Sequence, residues 1–221
     1  MFTGIIQAIG TLSSCERSGS DMRLRVNTGS LVLDDVALGD SIATNGVCLT
    51  AVALLGDGYL ADVSAETLAL STLGSLRPGA ALNLEKALTL NTPLGGHLVS
   101  GHVDGIGQVL SRRPDGRSTR LEIEAPQPLA RYIAQKGSIC VDGVSLTVNA
   151  VYGSRFELNI VPHTLAQTIM ADYRAGTRVN LEVDLIARYL ERLLSAGEVT
   201  DSNAEAGLTL ETLARHGFVR D

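Results

Sequence analysis

Ser41-Ile42-Ala43-Thr44-Asn45-Gly46-Val47-Cys48-Leu49-Thr50 returns ninety-seven positions later as Ser138-Ile139-Cys140-Val141-Asp142-Gly143-Val144-Ser145-Leu146-Thr147. Each stretch reads as two short strands around Asn-Gly or Asp-Gly, the dipeptides that favour a two-residue hairpin. Sliding the chain by 97 extends the match without a gap over residues 4–85 and 101–182, where 24 of the 82 paired positions are identical. Ile9-Gly10 falls on Ile106-Gly107, Thr67-Leu68-Ala69 on Thr164-Leu165-Ala166, and Asn83-Leu84-Glu85 on Asn180-Leu181-Glu182. Two long copies describe a duplicated small domain rather than a solenoid, and the 221 residues leave room for a C-terminal extension.

Both copies are written in strand language. Met22–Val26, Tyr59–Val63, Arg120–Glu124 and Arg155–Ile160 alternate apolar and polar residues, as half-buried strands do. Leu82–Glu85 and Val179–Glu182 close the copies. Strands so spaced, with few helices, predict an all-β fold of closed or nearly closed barrels. Short helices are expected at Leu31–Val36, Pro128–Gln135, Glu66–Thr72 and Thr164–Met170, and Ala87–Gly96 links the copies. Beyond them Leu185, Ile186, Tyr189, Leu190, Leu193 and Leu194 fall on one face of an amphipathic helix. That face must pack on the chain's own barrel or join subunits. Gly197–Ala206 reads as a polar linker and Leu208–Val219 as a short terminal helix.

Composition narrows the classes. Hydrophobic residues make up 45% and charged residues 19%, as in a soluble globular protein. A net charge of −6, with no basic stripe, argues against nucleic acid and anionic membranes. Cys15, Cys48 and Cys140 have no disulfide or zinc spacing. The N-terminus lacks the basic and apolar regions of a signal peptide, so a cytoplasmic location is the default expectation. His97, His102, His163 and His216 form no recognisable metal motif. The Gly95–Gly107 region lacks the context of a phosphate loop, and Gly143-Val144-Ser145 lacks the second glycine of a nucleophile elbow.

The informative residues are those at which the copies differ. Cys48 faces Ser145, Ile5 faces His102, Glu66 faces His163, Gly39 faces Lys136, and Phe2 faces Val99. Taken singly, each has an ordinary structural explanation: a small buried thiol, a loop donor, a solvated lysine. Together they describe two related pockets of unequal polarity, suited to two similar ligands treated differently.

Met1–Ile5, Asn45–Thr50, Gly95–Val103 and Asp142–Val148 resemble the internal motifs of the riboflavin synthases built of two similar barrels, and the helix after Asp184 does too. The resemblance covers about residues 1–195 of the chain. It implies two six-stranded Greek-key barrels, residues 1–90 and 97–184, a trimerisation helix at 185–196, and a tail at 197–221 without a family motif. The implied reaction is a dismutation. Two molecules of 6,7-dimethyl-8-ribityllumazine exchange a four-carbon unit, giving riboflavin and 5-amino-6-(D-ribitylamino)uracil. No cofactor or metal is implied. A homotrimer is, with the site between the first barrel of one subunit and the second barrel of its neighbour. Association with lumazine synthase is left open.

Carried over by position, the resemblance places Gly4, Ile5, Ile6, Cys48, Leu49, Thr50, Asp62, Val63, Ser64, Ala65, Glu66 and Thr67 around the first-barrel pocket. It places Gly101, His102, Val103, Ser145, Leu146, Thr147, Asn159, Val161, Pro162, His163 and Thr164 around the second, with Lys136 at its edge. His102 and Ser145 are expected to assist proton transfer from the acidic C7 methyl of the lumazine. Cys48 and Thr147 are expected to position or activate the nucleophile that adds to the partner lumazine. Phe2 is expected to pack against a ligand ring, Asp62 or Asn159 to meet the ribityl chain, and Ser41 and Asp184 to be secondary contributors. Two rivals remain: a non-catalytic lumazine- or flavin-binding protein and a flavin oxidoreductase. The second would need a dinucleotide fingerprint that the chain lacks.

Overall fold

The computed structural model describes residues 1–201, with side chains to Ser195. The first copy forms β1 (Ala8–Ser18), β2 (Asp21–Asn27), β3 (Ser41–Thr44), β4 (Val47–Thr50), β5 (Ala53–Leu55), β6 (Gly58–Val63), α1 (Ala65–Leu70) and β7 (Ala81–Lys86). The second forms β8 (Gly105–Asp115), β9 (Ser118–Glu124), β10 (Ser138–Val141), β11 (Val144–Tyr152), β12 (Arg155–Ile160), α2 (Pro162–Gln167) and β13 (Arg178–Val183), followed by α3 (Leu185–Asp201).

The second copy closes as a six-stranded antiparallel barrel in the order β10-β11-β12-β9-β8-β13. The chain leaves β9, crosses to the far side of the ring as β10, and hairpins back through β11 to β12 beside β9, a Greek key. The first copy follows the same path but gives seven strands, in the order β4-β3-β7-β1-β2-β6-β5. The extra strand arises because β4 and β5 are the two halves of what runs through as β11. In β11 a bulge falls between Val148 and Ala150, and the matching Ala51-Val52 separates β4 from β5. At that point Ala51 and Val148 both turn their N–H groups to the loop ahead of the preceding strand, onto Asp40 O and Gly137 O.

Alternation fills each barrel. Met22, Leu24 and Val26 point inward from β2 and Leu121 and Ile123 from β9, each barrel having its own apolar core. Three of the four expected helices form, each followed by or made of a 3-10 turn: 65–70 with 72–75, 162–167 with 169–172, and 127–132. Leu31–Val36 does not. It runs as successive turns closed by Leu31 N–H to Thr28 O, Val36 N–H to Leu33 O and Asp40 N–H to Ala37 O. The second copy has Pro126 and Pro128, whose fixed φ presets a helical turn, where the first has Gly29 and Leu31.

The two barrels meet at their matching hairpin turns. Asn45 (φ 47°) and Asp142 (φ 45°) take the left-handed conformation that such turns require. Gly46 and Gly143 sit so close that a Cβ on Gly46 would lie 2.7 Å from Gly143 N. The seam is reciprocal. Asn83 donates its side-chain amide to Asp142 O and accepts Ile169 N–H, while Asn180 donates to Asn45 O and accepts Thr72 N–H. Asn45 Oδ1 accepts Asn83 N–H and Asp142 Oδ1 accepts Asn180 N–H. Burial raises the pKa of Asp142 to about 7, even though the Tyr173 hydroxyl donates to its carboxylate.

Helix α3 runs to Asp201, through the start of the expected linker; Leu208–Val219 lies outside the described residues. Ile186, Tyr189, Leu190, Leu193 and Leu194 are all exposed on it in the single chain. Among the described residues no helix is long and apolar enough to cross a membrane.

Candidate active site

The segment that opens each copy is laid over the other copy's hairpin. Phe2 and Val99 form an antiparallel bridge, and from it the two openings diverge. Gly101 O accepts Cys48 N–H at 2.8 Å, and Gly4 O accepts Ser145 N–H at 2.8 Å. Both glycines have positive φ, +75° at Gly4 and +83° at Gly101. A Cβ on Gly101 would lie 2.6 Å from Cys48 Cβ, and one on Gly4 would lie 2.6 Å from Ser145 Cβ. Only glycine allows this approach. Further along, Val103 packs on the first barrel's core and Ile6 on the second's.

A pocket of about 250 Å³ results on the first barrel, lined by Val47, Cys48, Glu66, Thr67, Leu70, Ser71, Gly101, His102 and Val103. This corrects the grouping expected from sequence. Gly101–Val103 complete the pocket of Cys48, and Gly4–Ile6 lie with Ser145. The cause is the Phe2–Val99 bridge, which crosses the two openings before either reaches its barrel.

Ser145 lies half-buried beneath Gly4 and Gly96; a Cβ on Gly96 would lie 2.8 Å from its Oγ. His97 Nδ1 is 2.6 Å from that hydroxyl. Burial lowers the His97 pKa below its usual value, with Asp184 opposing, so the imidazole is neutral at pH 7. A neutral imidazole with Nδ1 unprotonated accepts the serine proton and makes the oxygen a better base or nucleophile. His97 Nε2 is buried without a hydrogen-bond partner among the described residues. Read from sequence, His97 lies in the Gly95–Val103 segment that carries the family resemblance but has no role of its own there, only a rejected metal motif. The available signal was its place next to the repeat, in a glycine-rich stretch without a counterpart in the first copy.

The other expected residues are distributed as their strand positions dictate. Phe2 is fully buried with Ala43, Val99 and Cys140, where it braces the crossing. Leu49 and Val63 point into the first core. Asp62 is on the outer face of β6, held by Arg23 at 2.7 Å, and is not among the residues lining the Cys48 pocket. Asn159 is exposed at the matching place on β12. Ser64 caps α1 by accepting Thr67 N–H, and the Ala65 N–H turns to Asp21. Ser41 pairs with Thr50 across β3–β4, as Ser138 does with Thr147, and both threonines are exposed. Leu146 packs on the second core, Thr164 is half-buried, and Val161, Pro162 and His163 are exposed at the start of α2. Lys136 is exposed with φ 67°.

The family described as Lumazine binding domain matches residues 3–87 and again residues 100–184. The riboflavin synthase of Photobacterium phosphoreum is 48% identical over 219 residues, 99% of this chain and 100% of that protein. The chain belongs to the riboflavin synthase family. Other riboflavin synthases agree: that of Mycobacterium bovis is 48% identical over 89% of this chain and all of its own length. That of Bacillus subtilis is 36% identical over 99% of this chain. Among solved structures, LumP complexed with riboflavin superposes with a TM-score of 0.77 at 23% identity, over 83% of this chain and 99% of that one, a likeness of fold.

Proposed function

We propose that this chain is a riboflavin synthase that converts two molecules of 6,7-dimethyl-8-ribityllumazine into riboflavin and 5-amino-6-(D-ribitylamino)uracil. The observation that carries the reading is the pairing of two matching but chemically unequal sites, Cys48 with His102 in one and Ser145 with His97 in the other. A dismutation needs two copies of one ligand held in a fixed relation, and a duplicated fold supplies two related sites. The products contain between them every atom of the two substrates, so no oxidant or reductant enters.

In this reading Ser145, polarised by neutral His97, takes a proton from the C7 methyl of one lumazine, and His102 serves the partner lumazine in the Cys48 pocket. Cys48 holds or delivers the nucleophile that adds there, with Thr147 and Thr50 at the rims. Asp184, which acts electrostatically on His97, tunes its basicity. Glu66, Thr67 and Thr164 bind polar parts of the ligands. The apolar face of α3 assembles a homotrimer, so that two sites from neighbouring subunits meet. The protein works in the cytoplasm, and residues 1–90 and 97–184 act as its two lumazine domains.

Incubation with the lumazine in the presence of a chelator tests this. One riboflavin formed for two lumazines consumed supports it. Tight binding with no new flavin absorbance would make the chain a chromophore carrier.

A further inference from the structure

The last strand of each barrel carries a glutamate at the same place, Glu85 on β7 and Glu182 on β13, with exposures of only 3% and 4%. A carboxylate is costly to bury unless strong donors meet it. Here the donors come from the segments that open the copies. Glu85 accepts Thr3 N–H at 2.7 Å, the Thr3 hydroxyl at 2.6 Å and Gly4 N–H at 3.0 Å. Glu182 accepts Ser100 N–H at 2.6 Å, the Ser100 hydroxyl at 2.8 Å and Gly101 N–H at 3.0 Å. The two hydroxyls in turn accept Ile5 N–H and His102 N–H, each at 3.2 Å. Burial raises the pKa of both carboxylates.

We infer that Glu85 and Glu182 are positioning residues that act crosswise, each carboxylate shaping the pocket on the barrel to which it does not belong. Glu182 fixes Gly101, whose carbonyl holds Cys48 N–H, and fixes the backbone of His102; both edge the first-barrel pocket. Glu85 fixes Gly4, whose carbonyl holds Ser145 N–H beside His97. A carboxylate clamp suits a turn with positive φ, because it gathers consecutive N–H groups without needing a side chain on the glycine. The identity of the two clamps across a repeat that has otherwise diverged argues that both pockets need it. That this bears on catalysis rests on the function proposed above.

The test uses the full-length protein and two substitutions per clamp: Glu182→Gln and the milder Ser100→Ala, Glu85→Gln and the milder Thr3→Ala. Three readouts are taken with kcat and KM: the alkylation rate of Cys48, resolved from Cys15 and Cys140 by peptide mass; the His97 titration by NMR; and the unfolding midpoint. The first pair should change Cys48 alkylation by about fivefold and leave the His97 titration in place. The second pair should move the His97 titration and leave Cys48 alkylation in place. Turnover should fall by about tenfold in all four, with Ser100→Ala and Thr3→Ala folded. Each glutamate acting on its own barrel, or both variants disturbing both sites alike, overturns the inference. The thiol and histidine readouts need no turnover, so an inactive protein would count against the proposed function while leaving the crosswise clamp to stand or fall on its own.

Discussion

Replacing Asp142 by asparagine should remove a large component of the pH dependence of stability. Asp142 is wholly buried in the seam between the barrels, and its pKa is raised from 3.8 to about 7, chiefly by desolvation. The folded chain therefore keeps a proton that the unfolded chain releases between about pH 4 and pH 7. Its stabilising contribution is complete below about pH 4 and is lost as the pH rises through 7. The difference of about 3 units corresponds to about 4 kcal/mol. The amide of the Asp142→Asn variant would keep the oxygen that accepts Asn180 N–H, as Asn45 already does for Asn83 N–H in the first copy. The assay is urea unfolding of both proteins at pH 5 and pH 8, at one protein concentration. Glu85 and Glu182 titrate in the same direction and His97 in the opposite one, but all three are common to both proteins and cancel in the difference. The unfolded carboxyl is already ionised at pH 5, so about 2 of the 3 units fall inside this window, and the wild type should lose about 2.5 kcal/mol more than the variant between the two pH values. Parallel pH dependences, or a wild type that weakens on acidification relative to the variant, would refute the assignment of a raised pKa to Asp142.

Gly101→Ala combines a left-handed backbone with a Cβ 2.6 Å from Cys48 Cβ and 2.8 Å from the Phe2 ring, and should cost about 2–4 kcal/mol by urea unfolding. Gly19→Ala, also at positive φ but with nothing within 4 Å, should cost only about 1 kcal/mol. His97→Gln should lower turnover by about 10²-fold. It should also remove an acid limb, which in the wild type lies below the ordinary histidine range because burial depresses the His97 pKa and the proposed role needs the neutral ring. On the proposed assembly through α3, Leu193→Asp on its exposed face should give a protein that sediments as a monomer and has lost turnover while the barrels keep their circular dichroism; a wild type that is itself monomeric would refute that assembly.

The duplication, most of the strands and the hairpin turns were legible because period-two alternation and Asn-Gly or Asp-Gly dipeptides are local signals. The missing helix at Leu31–Val36 shows where local reading stops, since an apolar cluster between two turns does not specify its own backbone. The exchange of pocket walls was not legible. It depends on a bridge between Phe2 and Val99, far apart in sequence, and repeat matching alone assigns each segment to its own copy. The surroundings of Phe2 and Asp62 were not legible either, for related reasons. An aromatic ring near a site can be its buttress, and the side of a strand on which a carboxylate lies follows from register, which in the first copy gives Asp62 to Arg23. Glu85 and Glu182 were visible only as identities within the repeat, because a buried clamp is recognised by what meets it.

Whether two ligands must be held together is decided by blocking one pocket at a time. Thr67 lines the Cys48 pocket, and Thr164 is its counterpart in the second copy. Thr67→Trp and Thr164→Trp, made separately and confirmed as folded, are assayed for riboflavin formation from 6,7-dimethyl-8-ribityllumazine. If one reaction needs both pockets filled together, each variant falls to background. A variant with one pocket blocked that keeps about half of the wild-type rate would mean that each pocket works alone, and the two-ligand account would be wrong.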